Sequence, residues 1–460
     1  MNDKMQKIVS LCKRRGFVFP GSEIYNGLAN TWDWGPLGAQ LVKNIKDLWW
    51  KRFVESRDDI VPIQSDILMN SKVWQASGHL EGFTDPLIEC KKCKKRFRED
   101  QLREQVGDRP LGRDESLAKA RTPDMLQCPE CNSQLDSPRQ FNLMFKTFIG
   151  PLEDKTSTVY LRPETAQGMF VNFKNIQQSM RAKLPFGIAQ IGKAFRNEIT
   201  PGNFIFRVLE FEQMEIEYFI REQDWEKWFA HWQDQMQKWL LDIGIKKQSF
   251  KIREHGKDEL SHYSKKTIDF EYKYPFGQKE LYGLAYRTDF DLKAHQSASG
   301  QSLEFQDTET CKKFIPHVIE PTFGVERTVL ALLCDAYEEV DARSGKGDKS
   351  EKEIVLHLNP KIAPIKAAIL PLVKNKKEIT KTARDIHTIL KNNFMIQYDE
   401  TGSIGKRYRR QDEIGTPYCI TVDFETLKDN SATIRERDTL KQKRINIPEI
   451  NDYLEKKINC

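Results

Sequence analysis

The sequence predicts a mixed α/β fold, and three features of the chain carry this prediction. Residues 188–219 alternate like two β-strands and are interrupted by Pro, Gly and Asn, which favour turns. Residues 221–244 repeat large apolar side chains at the spacing of an α-helix, which predicts a helix that faces a core. Residues 355–460 contain strand-like runs around a helical pattern, which is typical of a compact domain with a mixed sheet.

The other predicted elements follow from apolar periodicity and from turn residues. A polar, Gly-rich and charge-rich stretch at 341–353 indicates a domain boundary. Before it, the predicted helices cover 4–15 and 37–54, and a predicted strand over 59–68 contains Pro62, which indicates an edge strand or a bend. Then follow strand-like runs over 141–175, the paired strands of 188–219, the helix over 221–244, strands over 266–292, and a strand, turn and helix over 318–334.

Composition and charge restrict the class of protein. A length of 460 residues suggests about three domains, and a hydrophobic fraction of 39% supports sizeable cores. The net charge of +6 is mild, so a nucleic-acid surface would be a local patch, and we expect neither DNA nor a membrane as partner. The nine cysteines form no disulfide framework, and neither a signal peptide nor a membrane span is evident. A cytoplasmic protein is therefore expected.

Two CxxC pairs predict a metal site. Cys90 and Cys93 form the first pair, and Cys128 and Cys131 form the second. Two such knuckles complete the tetrahedral sulfur site that suits Zn²⁺, so residues 90–131 are predicted to be a zinc-ribbon-like insertion. The alternative is four unrelated reduced cysteines. The basic residues around the first pair are either a solvated surface or a site near RNA phosphates.

The paired strands of 188–219 carry side chains that suit a nucleotide. Arg196 and Glu198 have equal parity, so they are predicted to point the same way. A guanidinium suits phosphate, an aromatic ring suits a base, and a carboxylate suits an amino group. The alternative is a surface hairpin with ordinary cross-strand ion pairs. The second strand presents on one face Arg207, Phe211, Gln213 and Glu215.

Three charged residues elsewhere extend this set. Arg327 lies in the first turn of an apolar helix, where a cation opposes the helix dipole and favours an anionic partner such as a triphosphate. Glu280 begins a strand, from which it could hold a divalent ion beside that triphosphate. Glu164 lies in a strand-to-helix turn, where an acid at a helix N-terminus is the simplest interpretation.

Together these residues resemble motifs 2 and 3 of the class II aminoacyl-tRNA synthetases, with motif 1 over the 37–54 helix and the strand that contains Pro62. Longer segments across nearly the whole chain are similar to glycyl-tRNA synthetases of the homodimeric bacterial and eukaryotic type. These segments are FVFPGSEIY, NTWDWGPLG, VWQASGHLEGF, QFNLMFKT, LRPETAQG, FRNEITPGNFIFRVLEFEQME, DELSHYS, RTDFDL, EPTFGVER and GKRYRRQDEIGTPYC. The resemblance implies an antiparallel class II sheet flanked by helices and a C-terminal mixed α/β anticodon-binding domain.

The resemblance also implies roles for matching residues. The implied catalytic residues are Arg196, Glu198 and Arg327. The implied ATP-binding residues are Arg196, Asn197, Glu198, Phe206, Arg207, Phe211, Glu280, Leu281, Gly324 and Arg327. The implied glycine-binding residues are Arg98, Glu164, Phe211, Glu212, Gln213, Met214, Glu215, Glu320, Thr322 and Gly324. Thr322 departs from the family, which often has serine there; the hydroxyl is kept and a methyl group is added.

The implied activity is ATP-dependent ligation of glycine to tRNA(Gly) through a glycyl-adenylate, with release of AMP and pyrophosphate. The resemblance implies Mg²⁺ beside the ATP and a homodimer, whereas a structural Zn²⁺ rests on the cysteine spacing alone. The run 406–410 is predicted to contact RNA; the alternatives are a solvated loop and a contact with the catalytic domain. The predicted domains are catalytic over 1–89 and 132–340, the insertion over 90–131, a linker over 341–354 and the anticodon-binding domain over 355–460.

Three other functions fit parts of the sequence. A synthetase of another specificity would have a pocket with fewer carboxylates. A synthetase-like accessory subunit without catalysis would have lost Arg196, Glu198 or Arg327, and all three are present. A zinc-ribbon nucleic-acid binder leaves most of the chain unexplained.

Overall fold

The computed structural model describes residues 3–105, 126–154, 156–261, 263–307, 311–341 and 352–459. Much of the polar stretch between the two cysteine pairs, and most of the predicted linker at 341–354, lie outside the described residues. Within the described ranges, no helix is both long enough and apolar enough to span a bilayer.

The helices begin and end close to the predicted positions at 4–15, 37–54 and 221–244, because each of these segments buries one apolar face. One turn of π-helix, Lys51–Glu55, continues α2. The helices are α1 (Asp3–Arg15), α2 (Pro36–Trp50), α3 (Ser71–Ala76), α4 (His79–Gly82), α5 (Glu99–Gln105), α6 (Ala166–Val171), α7 (Phe173–Ser179), α8 (Trp225–Asp242), α9 (Phe290–Ser299), α10 (Val325–Ala336), α11 (Lys377–Leu390), α12 (Ile404–Glu413), α13 (Thr426–Asp429) and α14 (Ile450–Asn459).

The strands alternate buried and less buried residues where they lie at the surface and are buried throughout where they cross a core. They are β1 (Val18–Pro20), β2 (Trp32–Trp34), β3 (Ile60–Pro62), β4 (Thr84–Glu89), β5 (Arg96–Arg98), β6 (Arg139–Asn142), β7 (Lys146–Phe148), β8 (Thr158–Tyr160), β9 (Phe186–Phe195), β10 (Glu210–Ile220), β11 (Phe250–Glu254), β12 (Lys266–Tyr274), β13 (Gly277–Thr288), β14 (Phe305–Gln306), β15 (Lys313–Phe314), β16 (His317–Gly324), β17 (Tyr337–Asp341), β18 (Lys352–Leu356), β19 (Ala367–Pro371), β20 (Ile396–Tyr398), β21 (Tyr418–Val422), β22 (Ser431–Glu436) and β23 (Gln442–Asn446).

A seven-stranded sheet in the order β11-β12-β13-β16-β10-β9-β3 forms the centre of the larger part of the molecule. All its pairings are antiparallel except that of β3 with β9. Helix α8 covers one face, where Trp232, Met236 and Trp239 are fully buried against Phe53 and Phe323. The predicted core role of the α8 tryptophans is therefore confirmed, and the opposite face of the sheet is left for the site described below.

Two predicted strands are shorter than expected. The strand predicted over 59–68 is limited to β3, which lies at the sheet edge and ends at Pro62, because proline cannot donate to a further strand. The strand predicted over 188–198 ends at Phe195, so Arg196 and Glu198 lie in the loop beyond it. Their shared direction therefore comes from the loop, whose Glu198 N–H donates to the Arg196 carbonyl at 2.8 Å.

The C-terminal part is built on a five-stranded mixed sheet in the order β20-β19-β21-β22-β23, as predicted. Strand β19 is parallel to both of its neighbours, whereas β21, β22 and β23 pair antiparallel. Strand β18 was expected in this sheet, but it pairs with β17 instead. Leu356, Leu358 and Ile362 consequently belong to the core of the larger part.

Candidate active site

A cavity opens on the face of the central sheet that is not covered by α8, between β10, β13, β16 and the loop before β10. Many residues predicted from the sequence to bind ATP or glycine line it, because equal-parity positions of these strands face the same side. The predicted residues on its wall are Arg196, Glu198, Phe206, Arg207, Phe211, Gln213, Glu280, Leu281, Thr322, Gly324 and Arg327.

The loop between β9 and β10 holds a guanidinium over aromatic rings. The centre of the Arg196 guanidinium lies 5.2 Å from the centroid of the Phe211 ring and 5.3 Å from that of Phe83. Its Nε donates to the Pro163 carbonyl at 3.1 Å, and among the described residues no carboxylate pairs with it. A guanidinium that is anchored at one nitrogen and has no carboxylate partner is suited to an anion.

Glu198 offers an acceptor with nothing to accept. Its Oε2 is buried and has no hydrogen-bond donor among the described residues, and Arg207 Nε lies 3.8 Å from it. A buried acceptor without a partner costs free energy, so it favours a ligand that supplies an N–H group. An exocyclic amino group of a base meets that requirement.

Arg327 closes the opposite end of the cavity. Its Nη1 lies 3.0 Å from Glu280 Oε2, and its guanidinium centre lies 4.7 Å from the centroid of the Phe206 ring. The charge of Arg327 lowers the pKa of Glu280 below its usual range, so this carboxylate stays ionised. An ionised oxygen ligand beside Arg327, in a cavity that Arg207 also lines, is suited to a divalent ion and a polyphosphate.

Glu215 lies just behind the cavity wall and is hydrogen-bonded to it. Thr322 Oγ1 and Gln213 Nε2, both from wall residues, donate to Glu215 Oε1 at 3.0 and 3.3 Å. Thr165 Oγ1 donates to its other carboxylate oxygen. Burial raises the pKa of Glu215, and the charge of Glu164 raises it further.

A second group of charges surrounds Glu215. Arg287 is almost fully buried, and it donates to Glu320 Oε1 and to both oxygens of Asp291, all at 2.8 Å. Burial alone would raise the pKa of Glu164, but His79 and Arg287 hold it well below its usual range. Burial raises the pKa of Glu320 to about 8, although Arg287 opposes this rise. The pocket therefore collects carboxylates around one buried cation and is suited to a small ammonium group.

Several predicted residues lie elsewhere. Arg98 pairs with Asp85 at 2.6 Å and does not line the cavity, although its charge acts on Arg207. Glu212 pairs with Lys46 at 2.8 Å, and Met214 lies in the core under α8. Both face away from the cavity because β10 alternates its side chains between the two faces of the sheet. Glu212 and Met214 therefore do not line the cavity.

Asn197 lies in the loop between β9 and β10, and its backbone N–H donates to the carbonyl of Leu143, the residue after β6, at 2.7 Å. Three functional candidates had not been predicted as site residues: Arg287, Thr165 and Glu217. Glu217 shares the parity of Gln213 and Glu215, which was the available signal. Arg287 and Thr165 gave no local signal, since their partners are distant in the sequence.

The four cysteines of the insertion come together. The Sγ atoms of Cys90 and Cys131 are 3.5 Å apart, those of Cys93 and Cys128 are 3.6 Å apart, and all four lie within 4.8 Å of one another. Four sulfurs at about 2.3 Å from a zinc ion would be roughly 3.8 Å apart, so the cluster fits that ion.

The two knuckles also share a backbone conformation. Lys94 and Asn132, each four residues after the first cysteine of its pair, have left-handed φ values of 57° and 55°. The N–H of each donates to the carbonyl of that first cysteine. This repetition favours two equivalent metal-binding turns over four unrelated thiols.

The basic run at 406–410 is largely engaged within the protein. Arg407 is 2% exposed and donates to the carbonyls of Pro371 and Asp399. Arg409 pairs with Glu353, and Arg410 also pairs with Asp399. These contacts show that the arginines of the run hold α12 against neighbouring strands, while Lys406 is exposed, and RNA contact by this run stays a prediction.

Comparison with known protein families identifies the class of protein to which the chain belongs. Residues 145–336 match the family described as tRNA synthetase class II core domain (G, H, P, S and T), and residues 366–457 match the anticodon binding domain. With the antiparallel sheet and the arginine-lined cavity, these matches define a class II aminoacyl-tRNA synthetase.

Relatives that match over nearly their full length identify the family within this class. The chain is 55% identical to the glycine–tRNA ligase of Clostridium acetobutylicum, across 99% of this chain and 98% of the relative. It is 53% identical to that of Alkaliphilus metalliredigens (99% and 98% covered) and 52% identical to that of Geobacillus thermodenitrificans (99% and 97% covered). The chain belongs to the glycine–tRNA ligase family.

Proposed function

We propose that this protein ligates glycine to tRNA(Gly) in two steps, first forming glycyl-adenylate and pyrophosphate from glycine and ATP, then transferring glycine to the tRNA and releasing AMP. One observation carries the proposal for this chain: a cavity lined by arginines adjoins a buried set of carboxylates through Gln213 and Thr322. The first part suits a nucleotide triphosphate, and the second suits the ammonium of an amino acid that has no side chain to bind.

For ATP, Phe211 stacks on the adenine and the unpaired oxygen of Glu198 accepts from its amino group. Arg196 contacts the α-phosphate together with the glycine carboxylate, while Arg207 and Arg327 bind the outer phosphates. Phe206, Leu281 and Gly324 contribute wall surface, and Asn197 contributes its fixed loop backbone. Glu280 would hold Mg²⁺, which when bound neutralises charge on the phosphates.

For glycine, Glu164, Glu215 and Glu320 surround the ammonium, and Gln213 and Thr322 orient Glu215. The carboxylate of glycine then attacks the α-phosphorus, and pyrophosphate leaves. The chain supplies positioning and cationic stabilisation for this step, so it needs no nucleophile of its own. Arg98 acts at longer range, through the charges of Glu198 and Arg207.

The remaining assignments are also proposals. Residues 90–131 hold one structural Zn²⁺ through the four clustered cysteines. The anticodon-binding domain is proposed to begin at 366 and not at the predicted 355, because residues 356–365 contribute to the core of the larger part of the molecule. The protein is proposed to be a homodimer of the bacterial and eukaryotic type and to work in the cytoplasm with the translation machinery. Light scattering of the purified protein tests the dimer.

Amino-acid-dependent exchange of pyrophosphate into ATP tests the function directly. Glycine should support exchange, while alanine and serine, which add a β-carbon, should support far less. Exchange driven by another amino acid would overturn the specificity. No exchange with any amino acid would favour an accessory subunit that has lost catalysis.

A further inference from the structure

Glu217 lies behind the glycine site, and the established contacts of that site do not use it. Its side chain is fully buried, and within the described part of the chain neither of its carboxylate oxygens has a hydrogen-bond donor. One carboxylate oxygen from each of Glu217, Glu215 and Glu320 lies within 4.8 Å of the other two. A carboxylate in this position would be both desolvated and unpaired, which is a costly state.

The strand register explains why Glu217 faces Glu320. On β10 and β16, Glu215 is opposite Thr322 and Tyr218 is opposite Ile319. The same register places Glu217 opposite Glu320, next to Pro321, which has no N–H to offer. Like charges directly opposite each other on paired strands repel, so one proton between the two carboxyl groups relieves the repulsion.

The hydrogen bonds that Glu215 and Glu320 already accept indicate which carboxyl group carries the proton and which one accepts it. Glu215 accepts from Thr165, Thr322 and Gln213. Glu320 accepts from Arg287 at Oε1, which leaves its second oxygen as the better acceptor for a Glu217 O–H.

We propose that Glu217 is a positioning residue of the glycine site: it carries a proton that it donates to Glu320, so that Glu320 keeps its negative charge toward the substrate ammonium. The proton stays on Glu217 throughout the reaction, and Glu217 does not touch the substrate. This inference rests on the proposed function for the identity of the substrate, but not for the protonation of Glu217.

The other charges near Glu217 support a neutral carboxyl group. Burial raises its pKa well above the usual range, and the charge of Glu320 raises it further; Glu215 and Asp291 act in the same direction, and Arg287 offsets these effects in part. On the β9 side its neighbour is Ile188, which is apolar. Arg287 is already shared between Asp291 and Glu320, so it does not compensate a further charge.

Two variants test whether residue 217 acts through a hydrogen-bond donor or through a negative charge. Glu217→Gln is neutral and keeps an N–H donor for Glu320, whereas Glu217→Leu keeps most of the volume and removes the donor. In pyrophosphate exchange, Glu217→Gln should leave the glycine KM within about twofold of wild type, and Glu217→Leu should raise it roughly tenfold, the size expected for one lost hydrogen bond to a charged group. The ATP KM and kcat should change little in either. Glu210→Gln, at the exposed first residue of β10, is the matched control.

The pH dependence of the glycine KM distinguishes a lost hydrogen bond from a lost packing contact, because a packing defect would not shift it. Burial raises the pKa of Glu320, and a hydrogen bond from Glu217 opposes this rise. A protonated Glu320 cannot hold an ammonium, so the glycine KM of the wild type should fall as the pH rises through the pKa of Glu320. A donor to the ionised form lowers the pKa of its acceptor, so Glu217→Leu should shift this fall to higher pH and Glu217→Gln should not. Equal effects of the two variants, or an unchanged profile in Glu217→Leu, would overturn the proposal.

Infrared difference spectra of the substrate-free proteins show whether Glu217 is protonated, and this measurement does not depend on enzymatic activity. The C=O band of one protonated carboxylic acid should appear in the difference spectrum of wild type minus Glu217→Gln, in which the bands of other protonated carboxyl groups cancel. Loss of an ionised carboxylate band instead would show that Glu217 is charged and that the proposal is wrong. If the wild type shows no exchange with glycine, the proposed function fails, and the infrared comparison still decides the state of Glu217.

Discussion

Replacing Glu215 with Gln is the sharpest test of how glycine is held. The side chain is 2% exposed, and it joins the cavity wall to the buried carboxylates through Thr322, Gln213 and Thr165. Glutamine keeps its size and one acceptor oxygen, so the substitution removes a charge and leaves no void. The fold should therefore survive, and the effect should appear in substrate binding.

The magnitude follows from the number of contacts that change. Thr322 and Gln213 can continue to donate to the amide oxygen, while the amide NH₂ must face Thr165, whose hydroxyl can rotate to accept. This rearrangement costs about 1 kcal/mol of folding stability at most. The bond to the ammonium loses its charge, and a charge-assisted hydrogen bond contributes roughly 1.5–3 kcal/mol. The glycine KM should consequently rise about tenfold to a hundredfold.

Pyrophosphate exchange measures this effect, with glycine and ATP varied in turn. Glu212→Gln removes the same charge three residues earlier on β10, where the side chain faces Lys46 on the other side of the sheet. This control should leave the glycine KM near the wild-type value, because a partly exposed ion pair contributes little. An unchanged glycine KM in Glu215→Gln, or a rise confined to the ATP KM, would refute the assignment of Glu215 to the ammonium.

Three further predictions concern the other parts of the molecule. Protein purified without chelator should carry about one zinc ion per chain, and Cys128→Ser should lose it while the buried Cys12→Ser should not; a wild type without stoichiometric metal contradicts the site. Arg327→Ala should raise the ATP KM at least tenfold because a partly buried cation at the phosphates is lost, with the glycine KM nearly unchanged; an equal rise in both constants would argue against a role specific to the phosphates. Deleting residues 366–460 should spare pyrophosphate exchange and lower tRNA charging at least tenfold, since the core that includes residues 356–365 is kept; unimpaired charging would remove the anticodon-binding role from this domain.

The sequence could predict those features whose signal is local. The α8 tryptophans recur at helical spacing, and each CxxC pair is a complete local turn, so both were predicted and are found as expected. Residues of equal parity on β10 were predicted to share a face, and Phe211, Gln213 and Glu215 do so. In the basic run at 406–410 the charge is visible in the sequence, whereas the burial of Arg407 is not, because it depends on the carbonyls of Pro371 and Asp399 that bind this side chain.

The arrangement of charges behind the cavity could not be read in the same way, because it depends on register between strands far apart in the sequence. Glu217 and Glu320 are adjacent only because β10 and β16 pair antiparallel in one register, and a shift of one residue would turn one of them to the core under α8. Arg287 reaches the same place from β13, which pairs with the other edge of β16. Three strands thus bring one cation and several carboxylates into a buried space where their mutual repulsion is offset only partly. A small ammonium ion would supply the missing positive charge, and glycine is the amino acid that delivers one without a side chain to accommodate.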